Sequence, residues 1–388
     1  MKKTARIHSL DSLRAIMMIL GLVLHSALTY NVTNHGNVWN IKDPESTHIA
    51  TDFLVLLIHS FRMPIFFLIA GFFGAMLFYE RTPLKMIKNR VQRIVFPFIV
   101  FLCLLAPILS FSFNYSNFIL SETPNAFAKA LAPFSQFYFY IPKITSHLWF
   151  LYYLIYLTGF TVIIALVLKK FPKVTSTIKK LFNWVFQRPL IRVLFFAGIT
   201  FVILSILKTP MIASSVSLLP ETNTFVYFVF FYVAGWILYT VKLQLPTLMQ
   251  HDWFCTIFGF LLVIIQGFII QFSNLGLTPT SNSPLLITFS ALTVWFLIFG
   301  ITGLFIRYGS QYSKRMRYIS DASYWVYLIH LPLTALFPII VWKLPIGTFL
   351  KFTLVVLLTT IVCFITYHYC VRNTFIGQFL NGRKYPRK

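Results

Sequence analysis

The sequence predicts an all-α, polytopic membrane protein of about ten transmembrane helices with both termini in the cytoplasm. Three observations lead there. The 388 residues are 58% hydrophobic and only 11% charged, with a mean hydropathy of +0.77, which leaves too little polar surface to cover a water-soluble globule. Apolar runs of about 20 residues, the length a helix needs to cross a bilayer, recur ten times, near 11–30, 52–79, 94–113, 147–168, 190–208, 224–241, 253–272, 284–306, 319–340 and 347–370. Finally, 25 of the 33 Lys and Arg fall in alternate connections: the N-terminal tail, 80–93, 169–192, 242–252, 307–317 and the tail after 371. The positive-inside rule makes that side the cytoplasm.

The opposite connections, 31–51, 114–146, 209–223, 273–283 and 341–346, carry few basic residues and the acidic Asp43, Glu45, Glu122 and Glu221. The net charge of +24 is therefore a topology signal, and once it is used up no basic groove remains for a nucleic acid. Cys103, Cys255, Cys363 and Cys370 lie in apolar segments without C-x-x-C spacing, so neither a disulfide framework nor a thiolate metal site is expected. No tandem repeat or low-complexity tract divides the chain, and residues 1–388 read as one integral-membrane domain.

The first span follows a basic start like that of a signal peptide, but Asp11 and Arg14 interrupt it and no A-x-A site follows, so it reads as a retained helix. Arg14 and His25 are eleven residues apart, which returns to within about 20° of one helix face with a rise of about 16 Å. Asp11, one turn before Arg14, can pair with it or cap the helix start.

The second span runs the other way and carries Asp52, His59 and Arg62. Asp52 and His59 share a face, Arg62 lies one turn deeper, and His59 sits about 10 Å from the outer end, close to the depth of His25. A charged side chain at mid-bilayer costs about 2.5 to 3.5 kcal/mol on the gentlest scale, so these groups predict a shared polar cavity. A purely structural alternative for Arg62 is an ion pair with Asp52 or Asp321. Pro64 is the one plain mid-span interruption in this reading.

Before the third span, "RTPLKMIKNRVQRIVFP" places Arg90 and Arg93 one helical turn apart, a spacing able to grip phosphates. Topology and attraction to anionic lipid would also account for that loop. The loop 169–192 is equally basic but lacks this arrangement and reads as topology alone. The fourth span, "HLWFLYYLIY", opens with His147 at the outer mouth, and the ninth, "SDASYWVYLIHLP", places His330 mid-span. Either histidine can instead serve packing by bonding a neighbouring helix. The fifth to eighth and the tenth spans read as generic apolar sequence, while the outer loops 31–51 and 114–146 are long enough to shape a site.

These residues carry a resemblance. "LDSLRAIMMILGLVLH" resembles the R-x10-H signature of the membrane acyltransferase 3 family, with Arg14 and His25 at its ends. "IHSFRMPIFFLIAGFF", "PLKMIKNRVQRIVFP", "SHLWFL" and "YWVYLIHLPLT" follow in the order of the branch that succinylates osmoregulated periplasmic glucans. R-x10-H alone is a weak pattern; the ordered set, touching the first four spans and the ninth, is specific. The resemblance implies a ten-helix enzyme of the bacterial inner membrane. It would move an acyl group, succinyl in that branch, from cytosolic acyl-CoA to a hydroxyl of an extracytoplasmic glycan. It further implies His25 and Arg14 as the catalytic pair and Arg90 with Arg93 as donor-binding groups. Related members acetylate lipopolysaccharide or peptidoglycan, which makes O-acetylation of an envelope polysaccharide the alternative.

Acyl transfer from a thioester to a hydroxyl needs a base for the hydroxyl proton and a positive partner for the developing oxyanion. His25 is the expected base, with His59 or Arg62 stabilising the oxyanion and Arg14 holding the donor or lining its path. Arg62 could also recognise the second carboxylate of a succinyl group. Asp11, Asp52, His147 and His330 are expected in supporting positions. The competing class is a transporter or flippase using the same stripe as a permeation path; such proteins commonly show internal repeats and paired interrupted helices, for which Pro64 alone is thin support.

Overall fold

The structure, a computed structural model, describes residues 7–274 and 283–386. Among them are ten helices long and apolar enough to cross a membrane: α1 (His8–Leu28), α2 (Ile49–Glu80), α3 (Pro83–Leu120), α4 (Ser146–Leu168) and α5 (Pro189–Leu207), then α6 (Thr222–Thr240), α7 (Asp252–Gln271), α8 (Pro284–Gly309), α9 (Lys314–Val341) and α10 (Thr348–Val371). The β pairing described is a single bridge between Ile144 and Ser217. The all-α, ten-span architecture follows the hydropathy. With an even number of spans, the start of α1 and the end of α10 share one face, hereafter the terminal face; the loops after α1, α3 and α5 lie on the far face.

Three local differences from the sequence reading have physical causes. The third span does not stop near 113 but continues to Leu120: Ser112, Ser116 and Leu120, spaced four residues apart, are all buried, so the polar segment that lowers the hydropathy still has a helical face to pack. At its other end α3 reaches back through a π-helical turn at Val91–Val95, which sets the R-x-x-R motif on a helix rather than in a loop. Proline inside a span is also not confined to Pro64: Pro107 and Pro332 lie within helices as well. Neighbouring helices can re-satisfy the backbone groups that proline frees in a membrane bundle.

The basic connection 169–192 contains an amphipathic helix, Pro172–Phe186, that buries Val185 and Phe186 and exposes Lys173, Lys179 and Lys180. Arg192, read as one more topological charge, is wholly buried. Its Nη1 donates to the Phe186 carbonyl at 3.1 Å and to Thr247 Oγ1 at 3.3 Å, capping that helix and tying it to the Lys242–Met249 segment.

Of the ten spans α8 is the most enclosed and α10 the least. At the centre of α8 the wholly buried Trp295 stacks on Phe196 of α5 at 4.4 Å and on Phe231 of α6 at 5.3 Å, and its indole N–H donates to Thr200 Oγ1 at 2.7 Å. The apolar ring is packed and its one polar atom satisfied, as a buried tryptophan requires. The tightest crossing joins α2 to α6. A Cβ added to Gly71 would strike the Tyr232 carbonyl, and one added to Gly235 would strike the Leu68 carbonyl, so small residues set the approach of the two backbones.

Gly235→Leu is expected to destabilise the bundle by at least about 1–3 kcal/mol, the usual cost of forcing extra carbon into a packed contact. Gly198→Leu on α5, where an added Cβ meets nothing within 4 Å, should be nearly neutral. Thermal unfolding of the two purified variants in detergent, followed by size-exclusion chromatography, checks the contrast.

Candidate functional site

α1, α2, α4 and α9 bring five ionisable side chains to one place. The His25 ring lies 5.3 Å, centroid to centroid, from that of His330, and His330 lies 5.4 Å from His147. Arg62 and His59 approach the same cluster from α2: both interact electrostatically with His25, and Arg62 does so with His147 and His330 as well. Arg62 enters this space because α1 opposes it with Gly21, where an added Cβ would come within 2.8 Å of Nη1. The guanidinium donates to Met63 Sδ at 3.4 Å and pairs with neither of its expected structural partners. Asp52 instead accepts the backbone N–H groups of Val32 and Thr33 at 2.8 and 3.0 Å, while Asp321 is bound by Arg317 and by the Tyr385 hydroxyl.

The histidine tautomers follow from their partners. His330 Nδ1 lies 2.8 Å from the Tyr327 carbonyl, and His147 Nε2 lies 3.0 Å from the Leu328 carbonyl. Carbonyls only accept, so those nitrogens carry the protons, and His330 Nε2 and His147 Nδ1 are left with free lone pairs. Both free nitrogens are buried without a hydrogen-bond partner, as are His25 Nδ1 and Arg62 Nη1. Buried polar atoms normally find partners; four that do not, gathered on facing helices, mark a space shaped for another molecule or for a proton in transit. His147, expected at the outer mouth, is 6% exposed, and His330 is 1% exposed.

Towards the terminal face the chamber continues as a column of arginines. Arg14 pairs with Asp11 at 3.3 Å, as the spacing anticipates, and its guanidinium lies over the Phe73 ring of α2 at 5.5 Å. Arg90 interacts electrostatically with Arg14; its Nη2 donates to the Ala70 carbonyl at 3.4 Å and its Nε is buried without a partner. Arg93 turns elsewhere, with Nη1 donating to the Gln378 carbonyl at 3.5 Å. The two arginines of R-x-x-R therefore do not converge: Arg90 faces the column, and Arg93 ties α3 to the C-terminal helix Phe375–Asn381.

Several residues of the site escape the sequence reading. Trp39, from the loop after α1, stacks on His25 at 5.7 Å with 19° between the planes and donates through its indole N–H to Thr29 Oγ1 at 3.1 Å. The loop is clamped by a buried ion pair: Lys351 of α10 lies 3.2 Å from Asp43, the two side chains being 3% and 1% exposed, and Lys351 also donates to the Trp342 carbonyl. Burial, and next the Asp43 charge, push the nearby Tyr30 phenol above its ordinary range, so it stays neutral. Tyr327 donates to the His147 carbonyl at 2.7 Å and so fixes the start of α4 against α9. "NVWNIKD" signals none of this locally, because the partners of Trp39 and Asp43 lie on other elements. Among the described residues no three His, Cys, Asp or Glu side chains are placed to hold a metal ion together, the three clustered histidines included.

Fold and site together define a polytopic membrane protein whose interior gathers histidine and arginine side chains on facing helices. The chain belongs to the acyltransferase domain family, which it matches over residues 7–368. Among curated proteins it is similar to glucans biosynthesis protein C of Escherichia coli strain K12, at 33% identity over 156 residues, a match covering 39% of this chain and 37% of the relative. The same protein from Escherichia coli O157:H7 matches at 32% identity over the same 156 residues, again 39% of this chain and 37% of the relative. The chain thus aligns with little more than a third of the length of these relatives. No solved structure matches it.

Replacing Lys351 with Met leaves Asp43 buried without its cation and is expected to cost about 3–5 kcal/mol. The double variant Lys351→Met, Asp43→Asn should recover much of that loss. Chemical unfolding of both, with limited proteolysis reporting the loop 31–48, checks the clamp.

Proposed function

We propose that this protein is a membrane-bound O-acyltransferase. It moves an acyl group, succinyl by the better of two assignments, from cytosolic acyl-CoA to a hydroxyl of an extracytoplasmic glycan of the bacterial inner membrane's outer side. The observation that carries the reading is the convergence of four unpartnered buried nitrogens, on His25, Arg62, His147 and His330, within a chain of the acyltransferase domain family. A glucan is suggested by the name of the E. coli relatives, and an osmoregulated periplasmic glucan by the motifs that carry the family resemblance. The same geometry would serve O-acetylation of lipopolysaccharide or another envelope polysaccharide.

In this reading the terminal face is cytoplasmic, in keeping with the positive-inside distribution of Lys and Arg. Arg14 and Arg90 stand at the donor entrance. A buried guanidinium nitrogen without a partner on Arg90, beside the second cation Arg14, suits the phosphates of a coenzyme A thioester. Arg93, held by the C-terminal helix, would position α3 rather than grip the donor.

His25 acts as general base. It takes the proton of the acceptor hydroxyl as that oxygen bonds to the acyl carbon; the carbon–sulfur bond breaks, and His25 returns the proton to the departing thiolate. Desolvation favours an uncharged imidazole with a free lone pair. Arg62, facing His25 across Gly21, neutralises the oxyanion that develops on the acyl carbonyl, with His59 beside it. His330, its Nδ1 proton fixed on backbone carbonyls, keeps its Nε2 lone pair free close to the His25 ring. Trp39 covers the ring and excludes water from the far face. Direct transfer, with no covalent acyl-enzyme, is the simpler route.

Membranes carrying His25→Ala should insert the protein normally yet transfer label from radioactive acyl-CoA to periplasmic glucan at least a hundredfold more slowly than wild type, the scale of losing a general base. Transfer within a few-fold of wild type removes His25 from the mechanism. Uptake of the donor or of the glycan with no modification assigns the protein to transport.

A further inference from the structure

The histidine cluster has a second compartment behind it. On the other side of His59, between α2, α4, α6, α7 and α8, lies a cavity with about 30 Å³ open to water centres, room for two or so small polar groups. Its rim is the far-face segment Pro210–Ser214, and its walls include His59, Ser60, Trp149, Gln266 and Ser290. Met211 on that rim is 41% exposed, so the cavity faces the side from which an extracytoplasmic acceptor would arrive.

The informative residue is Gln266. It sits in α7, a span of otherwise generic apolar sequence, and is 3% exposed. Its Nε2 donates to Ser290 Oγ of α8 at 2.7 Å, while its Oε1 is buried without a partner. Leaving a buried acceptor unmade costs about 1–3 kcal/mol, and a glutamine within a membrane span is itself expensive unless it serves a purpose. A free amide oxygen asks for a donor. The cavity presents no lysine or arginine among its lining residues, so it does not suit a phosphate or a carboxylate; it suits a neutral hydroxyl.

We infer that this cavity is an acceptor subsite: it receives a hydroxyl-bearing arm of the sugar being acylated, with Gln266, positioned by Ser290, accepting that hydroxyl's proton. The arm would enter past Met211 and fill the space beside His59, which stands on the wall shared with the reaction chamber. A neighbouring hydroxyl of the same sugar is then presented to His25. Gln266 and Ser290 are thereby specificity-determining residues, outside the chemistry itself. A site that hydrogen-bonds a substrate hydroxyl discriminates strongly against acceptors lacking it, because its own polar atom is then left unpaired. This inference rests on the transferase reading above.

The test uses the purified full-length protein, with labelled succinyl-CoA and acetyl-CoA as donors in separate arms and isolated periplasmic glucan as acceptor. Gln266→Leu keeps the volume and removes the acceptor; it is expected to raise the KM for glucan about tenfold, the effect of one good hydrogen bond. kcat and the donor KM should stay within about twofold of wild type. Ser290→Ala, which removes a single hydroxyl, should raise the glucan KM about threefold and carries the test should Gln266→Leu be lost in purification. A glucan KM unmoved in the variants, or a fall in kcat with no change in KM, overturns the subsite while leaving the transferase reading intact. Wild-type protein that labels no glucan with either donor overturns both.

Discussion

The placement of Arg62 constrains everything around it. A guanidinium in the lipid-embedded body of a helical bundle cannot be left against hydrocarbon, and here it is not neutralised by a carboxylate. It is housed: Gly21 gives it width on α1, Met63 offers sulfur contact on its own helix, and the imidazoles of α1, α4 and α9 stand near it. That housing requires α1 and α2 to run side by side in opposite directions and α9 to lie along α1. It also requires the start of α4 to dip into the bundle, where His147 binds the Leu328 carbonyl. The acidic side chains that could have quenched the charge are engaged elsewhere, Asp52 on the loop after α1 and Asp321 with Arg317 and Tyr385. A positive charge is thereby kept available in the interior instead of being spent on packing, which is the arrangement expected where a negative charge develops during a reaction.

The loop after α1 closes this interior from the far face, and its own stability comes from a pair of charges as deeply buried as the site. Asp43 and Lys351 are enclosed almost completely. Such a pair adds little net stability over an apolar substitute, but it fixes one geometry, since either partner alone is costly. Backbone bonds from Asp43 and His48 to the carbonyls of Thr29 and Tyr30 continue the fixation up to the end of α1. Trp39 is held over His25 as a consequence, so a clamp between the loop and α10 decides whether that imidazole is covered. Movement of that loop would uncover His25 without disturbing the tautomers of His147 and His330, which are set by backbone carbonyls of α9.

How far the sequence reveals this depends on the range of the interactions. Span number and class are legible because hydropathy and basic loops are local sums, and Arg14, His25, His59 and Arg62 stand out because each is costly in its own span. The meeting of His25, His59 and Arg62 can be inferred from helical periodicity, since depth and face are both functions of residue number; Arg14 stays apart from them, with Asp11, Phe73 and Arg90. The extent of α3 is not legible in the same way: Ser112 and Ser116 lower the hydropathy, yet they pack. Arg192 looks like any other topological charge until the end of the Pro172–Phe186 helix is seen to need its donor. Arg90 and Arg93 look like one motif, but a π-turn between them and a partner from the C-terminal helix send them apart. Trp39, Asp43, Lys351 and Gln266 depend on partners from 10 to 308 positions away along the chain, and nothing in their neighbourhoods announces those partners.

The polar groups of the interior are also sorted by kind along the membrane normal. Arg14 and Arg90 stand on the terminal side, the Gln266 oxygen stands towards the far side, and the imidazoles lie between them together with Arg62. A permeation path for one solute would present similar groups along its length, because the same molecule has to be held and released at each step. Two dissimilar ends separated by proton-exchanging groups instead suit two dissimilar partners, an anionic one and a neutral hydroxylic one, meeting at the middle. The helices agree with that distinction. α2, α3 and α9 run on through Pro64, Pro107 and Pro332; α9 is interrupted by a turn at Phe337, near its far-face end, away from the midplane where transporters with discontinuous helices place their unwound ion sites. The polar groups of the interior are presented by side chains between helices and not by unwound backbone.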